Sequence, residues 1–145
     1  MKSSSILVDN LCCLDVGDSK INVFAENHTT DNPLIRKAEF IFEIDSSTKK
    51  QTNFSIYDLH SIMGIAYNTL IDYIEHNIIK EIQNLTSFQL LIEVEGNDDK
   101  DVSMKNNLYH YLLKRLAKKI TKDSKDVMCV YTKDATTHYL TFTST

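Results

Sequence analysis

The sequence predicts an α+β fold: a two-layer sandwich, in the order β-β-α-β-α-β-β, in which a mostly antiparallel sheet carries two helices on one face. Several short segments alternate apolar and polar residues, as strands with one buried and one wet face do. Two longer segments, 53–83 and 104–122, repeat apolar residues at steps of three and four, the spacing of an amphipathic helix. Because both kinds of element must bury an apolar face, they predict one shared core.

The composition indicates one globular domain spanning residues 1–145. Apolar residues make up 42% of the chain and charged residues 25%, with only three glycines and one proline. The formal net charge of −4 argues against binding to duplex DNA through overall charge. Since Cys12, Cys13 and Cys129 show no zinc-ligand spacing, we expect free thiols, no metal and no cofactor.

The chain begins with residues 1–20, which we expect to form an extended N-terminal segment. Its apolar part, 6–16, has no period and fits either a short strand or a segment packed on the sheet. Residues 21–26 alternate and predict a strand. Residues 35–45 predict a stronger one, with Phe40 and Phe42 on its inner face.

The helical segment 53–83 has two interpretations. In the first it is one continuous amphipathic helix that tolerates Gly64. In the second it is a helix-turn-helix over 56–76, with Gly64 in the turn and with Asn68 and Thr69 facing the major groove. We favour the continuous helix because Asp72 and Glu75 on the recognition helix would repel phosphates.

The second half of the chain predicts a strand, a helix and a hairpin. Residues 88–95 alternate as a strand, and the acidic run 97–101 is expected to be a solvated loop. Ser103 can cap a helix over 104–122. Strands 127–132 and 138–143, joined by a loop of about five residues, favour an antiparallel hairpin. The apolar stripe expected on that helix is Leu108, Tyr111, Leu112, Leu116 and Ile120.

Agreement between strand alternation and helical stripes predicts the core. The strands should contribute Phe40, Phe42, Ile92, Val94 and Phe142. The helices should cover them with Ile62, Ala66, Leu70, Leu112 and Leu116.

The opposite face of the sheet carries Phe24, Ile41 and Leu91. Either the segment 6–16 covers these apolar residues, which we favour, or a partner does. Together with the absence of catalytic motifs, this face predicts a non-enzymatic protein-interaction module that binds a protein partner or itself, as an assembly subunit or an inhibitor of the immunity type.

The alternative function is a nucleic-acid-binding regulator. The helix-turn-helix interpretation would use Asn68 and Thr69, and the basic second helix would use Lys114, Arg115, Lys118, Lys119 and Lys122. The competing explanation of these cations is a solvated face at a helix C-terminus, where the helix dipole favours positive charge.

The chain is expected to reside in the cytoplasm. No segment approaches the roughly 18 apolar residues of a membrane span. The run 6–16 is a poor signal peptide because Asp9, Asn10 and Asp15 interrupt it. We therefore expect a soluble protein with no membrane partner.

Overall fold

A computed structural model of the chain describes residues 7–16, 19–28, 30–46, 56–95 and 98–145. In this part of the chain six strands and two long helices form. They are β1 (Leu7–Val16), β2 (Ser19–His28), β3 (Ile35–Ser46), α1 (Ile56–Tyr73), β4 (Ser87–Glu93), α2 (Asp99–Asp123), β5 (Val127–Asp134) and β6 (Thr137–Ser144). None of the described helices is both long and apolar enough to cross a lipid bilayer.

The strands form one sheet in the order β1-β2-β3-β4-β6-β5. All neighbours are antiparallel except β3 and β4, which are parallel. The chain between β3 and β4 includes α1, which supplies the long crossover connection that two parallel strands need. The predicted α+β class and mostly antiparallel sheet are confirmed, with one strand added at the N-terminus.

The added strand corrects the favoured role of the segment 6–16. Its described residues pair with β2 as the edge strand β1, with an irregularity in register between Asn10 and Cys12. They extend the sheet sideways and do not cover its outer face. The aperiodic sequence concealed this strand because the irregularity interrupts its alternation.

The core lies between the sheet and the helices, largely as predicted. Of the expected core residues, seven are buried: Phe40, Ala66, Leu70, Ile92, Val94, Leu116 and Phe142. Phe42 is only half-buried, because the β3–β4 pairing ends at Glu39 and Leu91 and Phe42 lies beyond it. Leu112 is also half-buried, and the side chain of Ile62 lies outside the described residues.

The long helical segment is continuous. After α1 the chain passes through a π-helical turn, Ile74–Ile78, a short α-helical turn and a 3₁₀ turn that ends at Asn84. Ile74, Ile78 and Ile82 are buried along it, because the wider π turn keeps them on the core face. No turn occurs at Gly64, so the helix-turn-helix interpretation is wrong and the continuous helix is confirmed.

Replacing Gly64 by alanine should stabilise the protein. Gly64 is exposed inside α1, and an added methyl group would meet no described heavy atom within 4 Å. Alanine removes backbone entropy from the unfolded chain, so the free energy of unfolding should rise by about 1 kcal/mol. Urea unfolding measures this change. A loss of stability would contradict a regular helix at this position.

The second helix starts earlier than its sequence suggested. Asp98 is the N-cap, and its carboxylate accepts a 2.7 Å hydrogen bond from the backbone N–H of Asp101. Part of the acidic run therefore forms the first turn of α2, where the helix dipole stabilises negatively charged side chains. Ser103 lies inside the helix and is not its cap.

The buried face of α2 also differs from the predicted stripe. It consists of Leu113, Leu116, Ala117 and Ile120. Tyr111 precedes Leu113 by two residues, about 200° around the helix, and is 57% exposed. Tyr111 was therefore wrongly assigned to the core.

The terminal hairpin is tighter than predicted. β5 ends at Asp134 and β6 starts at Thr137, so two residues, and not about five, connect them. Ala135 has a φ of 55°, in the left-handed region that two-residue hairpin turns use.

Candidate functional site

The side of the sheet that faces away from α1 and α2, called the outer face below, is open. On β2 to β6 every outward position with a described side chain is half-buried or exposed, whereas the alternate positions form the core. Within the part of the chain that the structure describes, no element covers this face. The strand register fixes which side chains are neighbours on this face.

The structure brings the three predicted contact residues close together on the outer face. Phe24 and Ile41 are direct cross-strand partners on β2 and β3. Leu91 on β4 lies opposite Glu39, two residues before Ile41. All three side chains are half-buried, so each retains apolar surface in contact with solvent.

Further apolar side chains extend this surface toward the β5 edge. Tyr139 on β6 is the cross-strand partner of Leu91. Val130 and Met128 on β5 are 47% and 44% exposed. The proximity of Tyr139 to Leu91 depends on β6 pairing with β4.

A group of ionisable side chains lies beside the apolar surface. Glu26 and Glu39 face each other across β2 and β3, and His28 Nε2 lies 3.5 Å from Glu26 Oε1 and 4.0 Å from Glu39 Oε1. Partial burial, followed by the charge of Glu26, raises the pKa of the Glu39 carboxyl, and Glu93 adds to the effect. Two like charges directly opposite destabilise a strand pair.

The same group can accept a cation. One potential ligand atom from each of Glu26, His28 and Glu39 lies within 4.8 Å of the other two. Carboxylates and imidazole are ligands for divalent metals, and carboxylates also bind guanidinium groups. Motif spacing did not reveal the group, because its members come from two strands and meet only through the pairing of those strands.

The two edges of the sheet differ in how they are protected. At the β5 edge, the Thr121 hydroxyl of α2 accepts from the Cys129 backbone N–H at 2.9 Å and donates to its carbonyl at 3.1 Å. At the other edge, no described segment pairs with the free side of β1. An unpaired strand edge is a template for a strand from another molecule.

The residues of the nucleic-acid alternative are divided between two helices. Asn68 is exposed on α1, whereas Thr69 is half-buried and its hydroxyl donates to the Ile65 carbonyl at 2.8 Å. On α2, all five predicted cations are exposed: Lys114, Arg115, Lys118, Lys119 and Lys122. The structure does not bring the two sets together into one described site.

A buried polar network was not anticipated from the sequence. His138 on β6 is fully buried, and its Nε2 lies 2.6 Å from Asn106 Oδ1. The Asn106 amide nitrogen donates to the Ala135 carbonyl at 3.2 Å. Since the amide oxygen can only accept, His138 Nε2 carries a proton and donates it.

The tautomers of the remaining groups follow from this orientation. The neutral His138 accepts at Nδ1 from the Tyr131 hydroxyl at 2.8 Å, and the Tyr131 oxygen in turn accepts from His110 Nδ1 at 3.1 Å. Burial, followed by the positive charge of Lys133, lowers the pKa of His138 to about 4. The network fastens α2 to the β5–β6 hairpin.

The cysteines differ in their surroundings. Cys13 is exposed and Cys12 half-buried on β1, while Cys129 is buried. Burial raises the pKa of the Cys129 thiol to about 12, which keeps it protonated and unreactive.

Comparison with known proteins identifies no relative of this chain. No protein-family model matches the chain, and neither a curated protein nor a solved structure matches it. The candidate site is therefore defined by its own chemistry: an open apolar surface beside a pair of carboxylates.

Proposed function

We propose that the protein is a non-enzymatic interaction module whose outer face binds a protein partner. The observation that supports the proposal is the uncovered apolar surface formed by Phe24, Ile41, Leu91 and Tyr139. Aromatic and aliphatic side chains on a rigid scaffold are typical anchors of protein interfaces. Their burial against a partner would remove apolar area from water.

The Glu26–Glu39 pair on the outer face favours a partner that places a cation beside it. Glu26 and Glu39 lie opposite each other next to the apolar surface, and partial burial, followed by the charge of Glu26, raises the pKa of Glu39. An arginine or lysine of the partner would relieve this repulsion and form charge-assisted hydrogen bonds. A partner surface that places a cation beside apolar groups would complement this face.

A second copy of the chain fits the outer face less well. Face-to-face association of two identical sheets would bring both Glu26–Glu39 pairs into one interface and double the negative charge there. A heterologous basic protein avoids that cost. This reasoning favours the inhibitor or adaptor type of module over a homo-oligomer.

Replacing Leu91 by arginine should weaken partner binding by roughly tenfold or more. The new charge would lie in the centre of the apolar surface and repel a basic partner. The matched control is Met104→Arg, which adds the same charge at a 53% exposed position on α2. Wild type and both variants are immobilised and exposed to lysate of the native host, and bound proteins are quantified by mass spectrometry.

A basic protein retained by wild type and Met104→Arg but lost with Leu91→Arg supports the proposal. The dissociation constant of the identified pair is then measured by calorimetry. Equal retention by Leu91→Arg would exclude the outer face as the binding site. Concentration-dependent dimerisation in sedimentation velocity that Leu91→Arg abolishes would instead identify a second copy as the occupant.

A further inference from the structure

We propose that α2 carries a second binding surface, separate from the outer face, for single-stranded nucleic acid. This surface, called the basic stripe below, consists of Tyr111, Arg115, Lys118 and Lys122, flanked by Lys114 and Lys119. Because α2 packs on the other side of the sheet, both surfaces can be occupied at the same time.

Helical spacing aligns the basic stripe. Tyr111, Arg115, Lys118 and Lys122 occur at positions i, i+4, i+7 and i+11, which fall on one side of an α-helix. With a rise of about 1.5 Å per residue, they span roughly 16 Å, or about three phosphates of an extended strand. The opposite side of the helix is the buried face, so the stripe points into solvent.

The positive charge of the basic stripe is not neutralised by neighbouring carboxylates. No aspartate or glutamate occurs between Asp101 and Asp123. Among the described residues, no ion pair joins these cations to a carboxylate; on α2 the observed pair is Lys105 with Asp101. Cations without a carboxylate partner can contact phosphates directly. Each such contact releases condensed counterions from the nucleic acid, and this release favours binding.

An exposed aromatic ring makes unpaired bases the favoured ligand. The Arg115 guanidinium lies over the Tyr111 ring, 5.4 Å from its centroid, and donates to the Tyr111 hydroxyl at 3.1 Å. Tyr111 is 57% exposed and does not belong to the core. Such a ring and guanidinium offer a stacking surface to a base between neighbouring phosphate contacts.

Duplex DNA and an acidic protein fit the basic stripe less well. Paired bases are not free to stack on Tyr111, and the chain's net charge of −4 opposes the dense charge of a duplex. An acidic protein would pair with the cations but would leave the exposed ring without a specific role. A single strand uses both features.

The test measures fluorescence anisotropy of labelled 20-nucleotide single strands of DNA and RNA, with a duplex of equal length in parallel. Single strands should bind more tightly than the duplex. For about three phosphate contacts, the affinity should fall roughly 20-fold between about 50 and 200 mM salt. Tyr111→Ala should weaken binding about tenfold, while Tyr111→Phe keeps the ring and should bind nearly as wild type.

Charge reversal provides the second arm. The double change Lys118→Glu and Lys119→Glu should abolish detectable binding, while Lys118→Gln and Lys119→Gln should lower the salt slope by about 1.4. The matched control, Lys20→Glu with Lys80→Glu, changes the net charge equally at exposed positions outside α2 and should retain most of the binding. Circular dichroism confirms that each variant is folded.

Three outcomes would overturn the proposal. The first is no binding of any strand at low salt. The second is equal loss with the control pair, which would mean that only net charge matters. The third is binding of poly-glutamate as tight as that of the single strands and insensitive to Tyr111→Ala, which would identify an acidic protein as the ligand class.

Discussion

Replacing Phe142 by alanine should lower the free energy of unfolding by about 3–5 kcal/mol. Phe142 is 0% exposed, and on β6 it lies between Phe88 on β4 and Cys129 on β5. All three are buried members of the same core, so the space left by the ring cannot be filled from solvent. Since small domains are stable by only about 5–15 kcal/mol, this loss is a large part of the total.

Phe24→Ala is the matched control, since it makes the same chemical change on the outer face. Phe24 is half-buried and packs only along the sheet surface, so its loss should cost about 1 kcal/mol. Guanidinium unfolding of both variants gives the comparison. Equal losses would show that the outer face is buried in solution, as it would be in a stable complex, and would contradict an open face.

Acidification from about pH 7 to about pH 4 should remove roughly 3 kcal/mol of stability through His138 alone. Burial holds the pKa of His138 at about 4 in the folded protein, against about 6.5 in an unfolded chain. The unfolded chain therefore takes up a proton that the folded one does not. The contribution is complete above the unfolded pKa and is lost as the pH falls toward the folded one.

The comparison protein for this experiment is His138→Gln, which keeps a polar side chain but cannot titrate. Unfolding free energies of both proteins are measured from about pH 8 to about pH 4, and their difference isolates His138 because all other groups are shared. Wild type should lose roughly 3 kcal/mol more than the variant. Parallel curves would mean that His138 has the same pKa in the folded and the unfolded chain, and so that burial does not lower it.

The pH effect has a structural consequence at the hairpin. Protonation of His138 places a second hydrogen on Nδ1, where the Tyr131 hydroxyl now donates. Tyr131 would have to reverse and accept, and His110 Nδ1 would have to become the acceptor for it. Acid should therefore weaken the contact between α2 and the β5–β6 hairpin.

Periodicity in the sequence was enough to predict which residues face the core in most elements. Alternation placed Phe40 and Phe142 inside, and helical spacing did the same for Leu70, because the two periods report directly which side chains share a face. It also placed Phe24, Ile41 and Leu91 outward. The prediction was wrong for Tyr111. Its aromatic ring was counted as part of the apolar stripe, but it lies outside the buried face of α2.

Which strands and helices are neighbours became evident only from the folded chain. Periodicity assigns a residue to a face of its own strand but says nothing about the strand beside it, since pairing depends on contacts distant in sequence. The described part of the irregular segment, Leu7–Val16, thus forms the edge strand β1, and Glu26, His28 and Glu39 form one group. His138 was buried because β6 lies between β4 and β5 under α2, where the side chains of Asn106 and Tyr131 satisfy its two ring nitrogens.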